Sequence, residues 1–141
     1  MIQEIMIINQ AGIALFYHNF IMDHKLDDSQ TLASYFDVIY RFTKQKFKES
    51  LRLLELDSFI FFFYIHKSNY HLVLKCENKK FNRKLLESIS KEIIQTFLLK
   101  YKKELKFFNG EISCFNSFSE DIMEILASKF DELRAIISIK Y

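Results

Sequence analysis

Residues 58–76, SFIFFFYIHKSNYHLVLKC, decide the fold of this 141-residue chain. Residues 59–65 are an unbroken apolar run that contains four phenylalanines, and a second apolar run follows after three polar residues, 67–69. Both runs are short and rich in aromatic and β-branched residues, which favours two strands joined by a tight turn over a buried helix. Because the apolarity does not alternate, we expect both faces of this hairpin to be covered. The rest of the chain must then supply helices for both sides.

The composition predicts one globular domain that spans residues 1–141. Half of the residues are hydrophobic and 16% are aromatic, with only two glycines and no proline, which excludes disorder and a loop-rich disulfide scaffold. The net charge of +2 indicates no strong electrostatic partner for the chain as a whole. Cys76 and Cys114 are too few and too far apart in sequence for a zinc site, so we expect reduced, buried thiols.

The N-terminal residues, MIQEIMIINQ, lack the basic region, the long apolar core and the cleavage site of a signal peptide. Nowhere do 18 apolar residues run together, as a bilayer-spanning helix would require. The sequence therefore predicts a soluble cytoplasmic protein whose contact with membranes, if it has any, is peripheral.

The first part of the chain predicts a β-hairpin followed by a helix. Residues 2–8 and 13–22 are mostly apolar, and Gly12 in the turn between them is free to take a positive φ. Ser29 is expected to cap a helix that runs to about Lys48. Apolar residues occupy an arc of roughly 160° on this helix, which is wider than contact with one sheet requires.

The remaining segments predict three strands and two more helices. A short strand at 51–56 leads into the hairpin quoted above, a long helix follows to about Lys106, and an irregular apolar segment at 107–118 bends at Gly110. Ser119 is expected to cap the last helix. The core stripe of the long helix consists of Leu86, Ile89, Ile93, Phe97 and Tyr101.

The predicted order is thus β-β-α-β-β-β-α-α. Strands of this kind would form a five-stranded antiparallel sheet, with one helix on one face and two on the other, which is an α+β domain.

Two segments of this order resemble the longin-domain family. IMIINQAGIALF (residues 5–16) is similar to the first hairpin of longin-type proteins and of the small subunits of adaptor and coatomer complexes. LLELDSFIFFFYIHKSNYHLVLKC (residues 53–76) is similar to their middle block, in which a short strand and a two-residue polar turn precede two long apolar strands. The related roadblock proteins share the profilin-like sheet but begin with a helix, so the strand-first order favours longin.

The resemblance implies a non-enzymatic protein-interaction module of membrane trafficking. Some longins precede a SNARE helix, some are coat subunits, and some form platforms that bind or activate small GTPases. No heptad-repeat SNARE segment follows the last predicted helix, so we expect a freestanding subunit or scaffold. The implied partner is a small GTPase or another longin or roadblock subunit. The resemblance is also compatible with a homo- or hetero-dimer.

In longin-like proteins, the groove between the first helix and the neighbouring edge strand often receives a partner segment. Here the flank of the helix furthest from its core stripe carries Tyr35, Val38 and Phe42, and the edge strand contributes Leu51 and Leu53. These five residues are the predicted partner-binding site. The alternative is that the chain itself covers this flank.

The predicted second helix is basic. Residues 79–106 contain nine lysines and arginines against three glutamates, a local charge of +6. One hypothesis is a peripheral site for anionic membranes, and nucleic acid is not expected, because the aromatic residues lie on the core stripe rather than on a stacking platform. The alternative is a solvated face that the acidic last helix balances. The candidate residues are Lys79, Lys80, Arg83, Lys84, Lys102 and Lys103.

His66 and His71 would lie directly opposite one another if Ser68 and Asn69 formed a two-residue turn. A metal would need further ligands, and no nearby cluster supplies them, so we expect no metal and no cofactor. We also expect no enzymatic activity, because two glycines cannot build a phosphate-binding loop and no nucleophile motif is present.

Overall fold

The computed structural model describes residues 2–21, 28–78 and 82–140, with side chains up to Lys129. The strands are β1 (Ile2–Ile8), β2 (Ala14–Asn19), β3 (Leu53–Glu55), β4 (Phe59–Ile65) and β5 (His71–Glu77). The helices are α1 (Ser29–Phe47), α2 (Arg83–Lys100), α3 (Lys102–Lys106) and α4 (Phe118–Lys140), with a 3-10 turn at Ser113–Phe115.

The five strands form one sheet in the order β2-β1-β5-β4-β3, and every neighbouring pair is antiparallel. This confirms the predicted five-stranded antiparallel sheet of an α+β domain. The hairpin of β4 and β5 lies inside it, because β1 pairs with the other side of β5 and β3 with the other side of β4. β2 and β3 are therefore the two edge strands.

Both faces of the sheet are covered, as the apolar runs predict. Along β1, Ile5 and Ile7 belong to a core with α2 and α4, whereas Met6 and Ile8 belong to a second core with Ala33 and Phe36 of α1. Successive side chains of a strand point to opposite faces. One helix thus lies on one face and two lie on the other, as predicted.

An aromatic cluster fills the larger core, which lies between the sheet, α2 and α4. Phe97 is completely buried, and the centre of its ring lies 5.1 Å from those of Tyr101 and Phe118 and 5.3 Å from that of Phe115. Aromatic pairs at such distances stabilise a core beyond the burial of their area. The irregular segment between α3 and α4 is thus held down by its own phenylalanines.

Polar contacts fix α1 to the first hairpin. The side-chain amide of Gln30 donates to the carbonyl oxygen of Ala14 at 2.8 Å and accepts from its N–H at 2.9 Å, which occupies part of the outer edge of β2. Arg41 pairs with Asp37 at 2.8 Å and donates to the carbonyl oxygen of Gln10 at 2.7 Å. Because α1 is anchored at both places, its outward face has a defined orientation.

Gly12 lies in the turn between β1 and β2, where that turn approaches α1, and replacing it with alanine should destabilise the fold. Its φ is +81°, and an added Cβ would lie 3.0 Å from Oδ2 of Asp37. We expect a loss of about 1–2 kcal/mol from the positive φ alone, and a further loss from displacement of Asp37. Gly110→Ala is the matched control, because Gly110 has a φ of +102° but an added Cβ there would meet no atom within 4 Å. If the two alanine variants lost the same free energy of unfolding in urea, the steric contact between residue 12 and Asp37 would be contradicted.

The structure corrects both predicted serine caps. Ser29 is the first residue of α1 and Asp28 is its N-cap, without a side-chain capping hydrogen bond. Ser119 lies inside α4, where its hydroxyl donates to the carbonyl oxygen of Asn116. In both cases the helix begins before the position that a capping serine would require, because backbone hydrogen bonds already form in the preceding turn.

The predicted long helix is divided in two. α2 begins after Asn82, whose side-chain oxygen accepts from the N–H of Leu85 at 3.1 Å, and it ends at Lys100. Tyr101 separates it from the short α3. The buried ring of Tyr101 packs on Phe97 and Phe115, and its hydroxyl lies 2.8 Å from that of Ser117. These contacts hold Tyr101 in the core where the helix is interrupted.

Two predicted strands are shorter than the apolar pattern indicates. The second strand was expected at 13–22 but ends at Asn19, and its last predicted residue, Met22, lies outside the described residues. The short strand was expected at 51–56 but comprises only Leu53–Glu55. Some of the flanking apolar side chains, such as Phe20 and Leu51, still pack against a core, whereas Ile21 and Leu56 are exposed.

Candidate functional site

The outward face of α1 carries an exposed apolar stripe. Tyr35, Val38 and Phe42 are 64%, 62% and 57% exposed, whereas Phe36 on the inner face is 5% exposed. The three predicted residues lie at spacings of three and four, so they form one continuous row along the helix. Within the described part of the chain, therefore, nothing covers the flank that the sequence singled out.

Phe47 extends this stripe to the end of the helix. It is 62% exposed, and the centre of its ring lies 6.0 Å from that of Phe42 at nearly a right angle. The sequence analysis did not single out Phe47, because at roughly 100° per residue it lies about 140° from Phe42, towards the inner side of the helix. The available signal was its position in the last turn of the predicted helix.

A groove of about 650 Å³ lies between the end of α1 and the edge strand. Lys48 ends the helix in a left-handed conformation, with φ +58°, and its N–H donates to the carbonyl oxygen of Lys44. The chain then turns back towards β3, so that Phe47, Leu51 and Leu53 line the same groove. Leu51 and Leu53 are half-buried, because each also packs against a core cluster.

The strand beside this groove has an open side. Leu56 donates to the carbonyl oxygen of Phe59, and the carbonyl oxygen of Arg52 accepts from Phe63, so these even-numbered residues face β4. Backbone groups alternate in direction along a strand. The N–H and C=O of Leu53 and Glu55 therefore face away from β4, where no further strand pairs within the described residues.

The stripe (Tyr35, Val38, Phe42 and Phe47) and the groove together form the α1–β3 surface. Phe47 connects the two parts, because its ring contacts that of Phe42 and it lines the groove with Leu51 and Leu53. Tyr35 and Val38 lie further from the groove, along the exposed face of α1. The surface offers exposed aromatic rings and unpaired strand backbone. It can therefore bind a protein segment by apolar contact and by strand pairing.

The predicted basic site is not one patch. Arg83 and Lys84 lie at the start of α2, while Lys102 and Lys103 lie in α3 beyond its end. A helix of 18 residues is roughly 27 Å long, so the two pairs are far apart. The remaining candidates, Lys79 and Lys80, lie outside the described residues.

Salt bridges between α2 and α4 neutralise part of the basic charge. Lys100 lies 2.5 Å from Asp121, and Glu92 lies 3.2 Å from Lys129. Both pairs join side chains that are partly exposed, so each contributes little to stability. The Lys100–Asp121 pair supports the alternative in which the acidic last helix balances the basic one. The Glu92–Lys129 pair does not, because it joins an acidic residue of α2 to a basic residue of α4.

The predicted opposition of His66 and His71 is wrong. Asn69 donates to the carbonyl oxygen of His66 at 2.8 Å and has a φ of +66°, which makes a four-residue turn of residues 66–69. His71 consequently pairs with Ile65. His66 contacts Ser68 within the turn, whereas His71 is buried, with its ring centre 4.3 Å from that of Tyr40. In the described residues, no three or more His, Cys, Asp or Glu side chains are grouped to hold a metal.

Burial of His71 should make the fold sensitive to acid. Desolvation lowers the pKa of His71 below its ordinary value of 6.5, the Asp37 carboxylate partly opposes this, and Arg41 adds to it. The folded state thus favours the neutral ring, and the unfolded chain binds more protons as the pH falls below about 6.5. We expect the free energy of unfolding to decrease over that window.

Denaturant unfolding across this pH range checks the expectation. His71→Gln cannot titrate and should flatten the pH dependence, and His18→Gln should flatten it further, because burial also lowers the pKa of His18. An unchanged slope in the double variant would show that other groups control the acid sensitivity.

The sheet, with α1 on one face and α2 and α4 on the other, has the strand-first order of the longin-like fold, as the sequence resemblance implied. A chain of a solved structure described as "The Structure of the Mammalian SRP Receptor" matches it with a TM-score of 0.58, over 94% of this chain and 97% of that chain. The two are 13% identical, so the likeness shows the fold alone.

The comparisons by sequence add no relative. No protein-family model matches the chain, and no curated protein matches it significantly. Within the residues that the structure describes, no helix has the length and apolarity needed to cross a bilayer.

Proposed function

We propose that this chain is a non-enzymatic protein-interaction module of longin type. It acts as a subunit or scaffold in small-GTPase regulation or in vesicle and membrane trafficking. The observation that carries the proposal is the α1–β3 surface, where exposed aromatic side chains meet an unpaired strand edge. Its partner is a protein, either a small GTPase or a second longin or roadblock subunit.

The exposed side chains supply enough apolar area to anchor a partner. Burying one large apolar side chain contributes about 1.5–3 kcal/mol. Tyr35, Val38 and Phe42 lie in one row on α1, and Phe47 is a fourth exposed side chain in ring contact with Phe42. Aromatic residues are enriched among those that dominate binding energy at interfaces. Contiguous exposed apolar patches are typical of interaction sites, so we infer that a partner covers these side chains in the cell.

The edge strand supports the same function by a different contact. β3 has only three residues and leaves the backbone of Leu53 and Glu55 unpaired on its outer side. An extended partner segment can add to such an edge while its side chains enter the neighbouring groove. The longin-like fold adds support, since a chain of this architecture occurs in a receptor structure.

The alternative of a peripheral binder of anionic membranes has weaker support. The four candidates that the structure describes lie near the two ends of α2 rather than on one flat face, and Lys100 between them pairs with Asp121. A planar bilayer would favour a continuous basic face.

Size-exclusion chromatography with light scattering tests the proposal, together with capture of purified small GTPases loaded with GDP or with a GTP analogue. We expect the chain to elute as a dimer or to retain a GTPase in one nucleotide state. A strict monomer that retains no GTPase in either state, and that co-purifies with no longin or roadblock subunit, would contradict it.

A further inference from the structure

A second cleft, which adjoins the α1–β3 groove, lies at the open end of β4. It has a volume of about 790 Å³ and is bounded by α1, by the segment that leads into β3, by the β4–β5 turn and by α2. Phe62, Phe63, Tyr64 and Ile65 line it, so the cleft follows the last half of β4. It shares Lys44, Ser50, Leu51 and Arg52 with the α1–β3 groove but contains none of the exposed stripe.

The strand in this cleft lacks a partner on one side. β3 pairs with β4 only as far as Phe62, and the last backbone bond along this side runs from the N–H of Phe63 to the carbonyl oxygen of Arg52. The next residue that faces the same way is Ile65, because direction alternates along a strand. Its N–H and C=O point into the cleft, and no strand pairs there within the described residues.

The walls of the cleft carry lysine and arginine side chains from α1, from α2, from the segment before β3 and from the β4–β5 turn. All six are exposed, and none forms a salt bridge with a described carboxylate. Glu87 is the one acidic residue among the lining side chains. The cations are Lys44, Arg52, Lys67, Arg83, Lys84 and Lys91.

We propose that this cleft binds an acidic, extended peptide segment of a partner protein. The segment adds to the open end of β4 by backbone hydrogen bonds at Ile65, and its carboxylates contact the lysines and arginines on the walls. Side chains of an added strand alternate in direction, so acidic residues on either side of the segment meet a basic wall. A concave cleft with a strand edge fits a peptide better than it fits a flat membrane.

Fluorescence anisotropy with a labelled hexapeptide, Glu-Val-Glu-Val-Glu-Val, tests the proposal on the full chain. We expect saturable binding that weakens as the salt concentration rises from about 50 to about 300 mM, because exposed charges are screened. The peptide Gln-Val-Gln-Val-Gln-Val should bind at least about tenfold more weakly, since only the charges differ. Equal binding of the two peptides would overturn the proposal.

Two double charge reversals locate the site. Arg83→Glu with Lys84→Glu changes the cleft, and Lys102→Glu with Lys103→Glu makes the same change in net charge in α3, which does not line it. We expect the first pair to weaken binding at least about tenfold and the second less than about twofold. Acidic residues are favourable in the first turn of a helix, so the first pair should not unfold α2. Equal weakening by both pairs would indicate non-specific attraction and overturn the proposal.

Two further measurements separate the competing explanations. Peptide binding should slow hydrogen exchange at the Ile65 amide, and an unchanged rate would exclude strand pairing there. Flotation of vesicles of phosphatidylcholine and phosphatidylserine tests the membrane alternative, and vesicle binding that depends on Arg83 without any peptide binding would replace the proposal by a lipid site. Phe42→Glu should leave peptide affinity unchanged. The proposal for this cleft and the proposal for the α1–β3 surface can therefore be tested independently.

Discussion

Replacing Phe97 with alanine is expected to remove about 3–5 kcal/mol of folding free energy. The side chain is completely buried at the centre of the aromatic cluster with Tyr101, Phe115 and Phe118. The substitution leaves a cavity and breaks three aromatic contacts at once. A domain of this size has a stability of about 5–15 kcal/mol, so the loss is a large part of the total. Urea unfolding and the thermal midpoint measure it, and we expect the midpoint to fall by about 10 °C or more.

Phe107→Ala provides the matched control for that substitution. Phe107 is 69% exposed, and its ring contacts Lys106 in the described structure. Removing it should cost less than about 0.5 kcal/mol, as is usual for surface positions. If the two alanine variants lost equal stability, the packing of α2 against the segment at 107–118 would be misassigned.

Phe42→Glu is expected to abolish association with the partner while leaving the fold intact. Phe42 is 57% exposed and its ring meets that of Phe47 edge-on, so its loss opens no core cavity. A glutamate at this position also lies four residues before Lys46, which favours the helix slightly. In a complex, by contrast, a carboxylate would be buried against apolar surface, and we expect affinity to fall by more than about a hundredfold.

Phe107→Glu makes the same chemical change on an exposed phenylalanine outside α1 and should leave association unchanged. Binding is measured with a purified partner by calorimetry, and thermal midpoints report the fold of each variant. If Phe42→Glu unfolds the protein, Phe42 belongs to the core. If it folds and still binds normally, the α1–β3 surface is not the interface.

The fold could be predicted because apolar pattern and burial agree along the central strands. The bounds of β1 and β4 match the apolar runs, since strands covered on both faces are apolar at most positions. The core stripe of α2 is likewise buried from Leu86 to Tyr101. The predicted two-residue turn after β4 was wrong, because Asn69 adopts a left-handed conformation that shifts the pairing of β4 with β5 by one residue. That conformation depends on backbone geometry, which periodicity does not report.

The candidate sites, too, could be predicted only in part. Tyr35, Val38 and Phe42 could be found because the apolar arc of α1 exceeds what one sheet can cover. The basic cleft could not be found, because Lys44, Arg52 and Lys67 are distant in sequence from Lys84. They meet only because β3 is too short to cover the end of β4. The sequence shows a basic α2, but it does not show which cations of other elements face it.

The central claim is that the stripe on α1 contacts a partner, and site-specific photocrosslinking in the native cells tests it most directly. The photoreactive analogue p-benzoylphenylalanine would replace Phe42 or Phe47 in one pair of variants and Phe107 in the control. We predict that both α1 positions give a covalent adduct with the same protein, a small GTPase or a longin or roadblock subunit, and that position 107 does not. Adducts from position 107 alone, or none from either position on α1, would contradict the account.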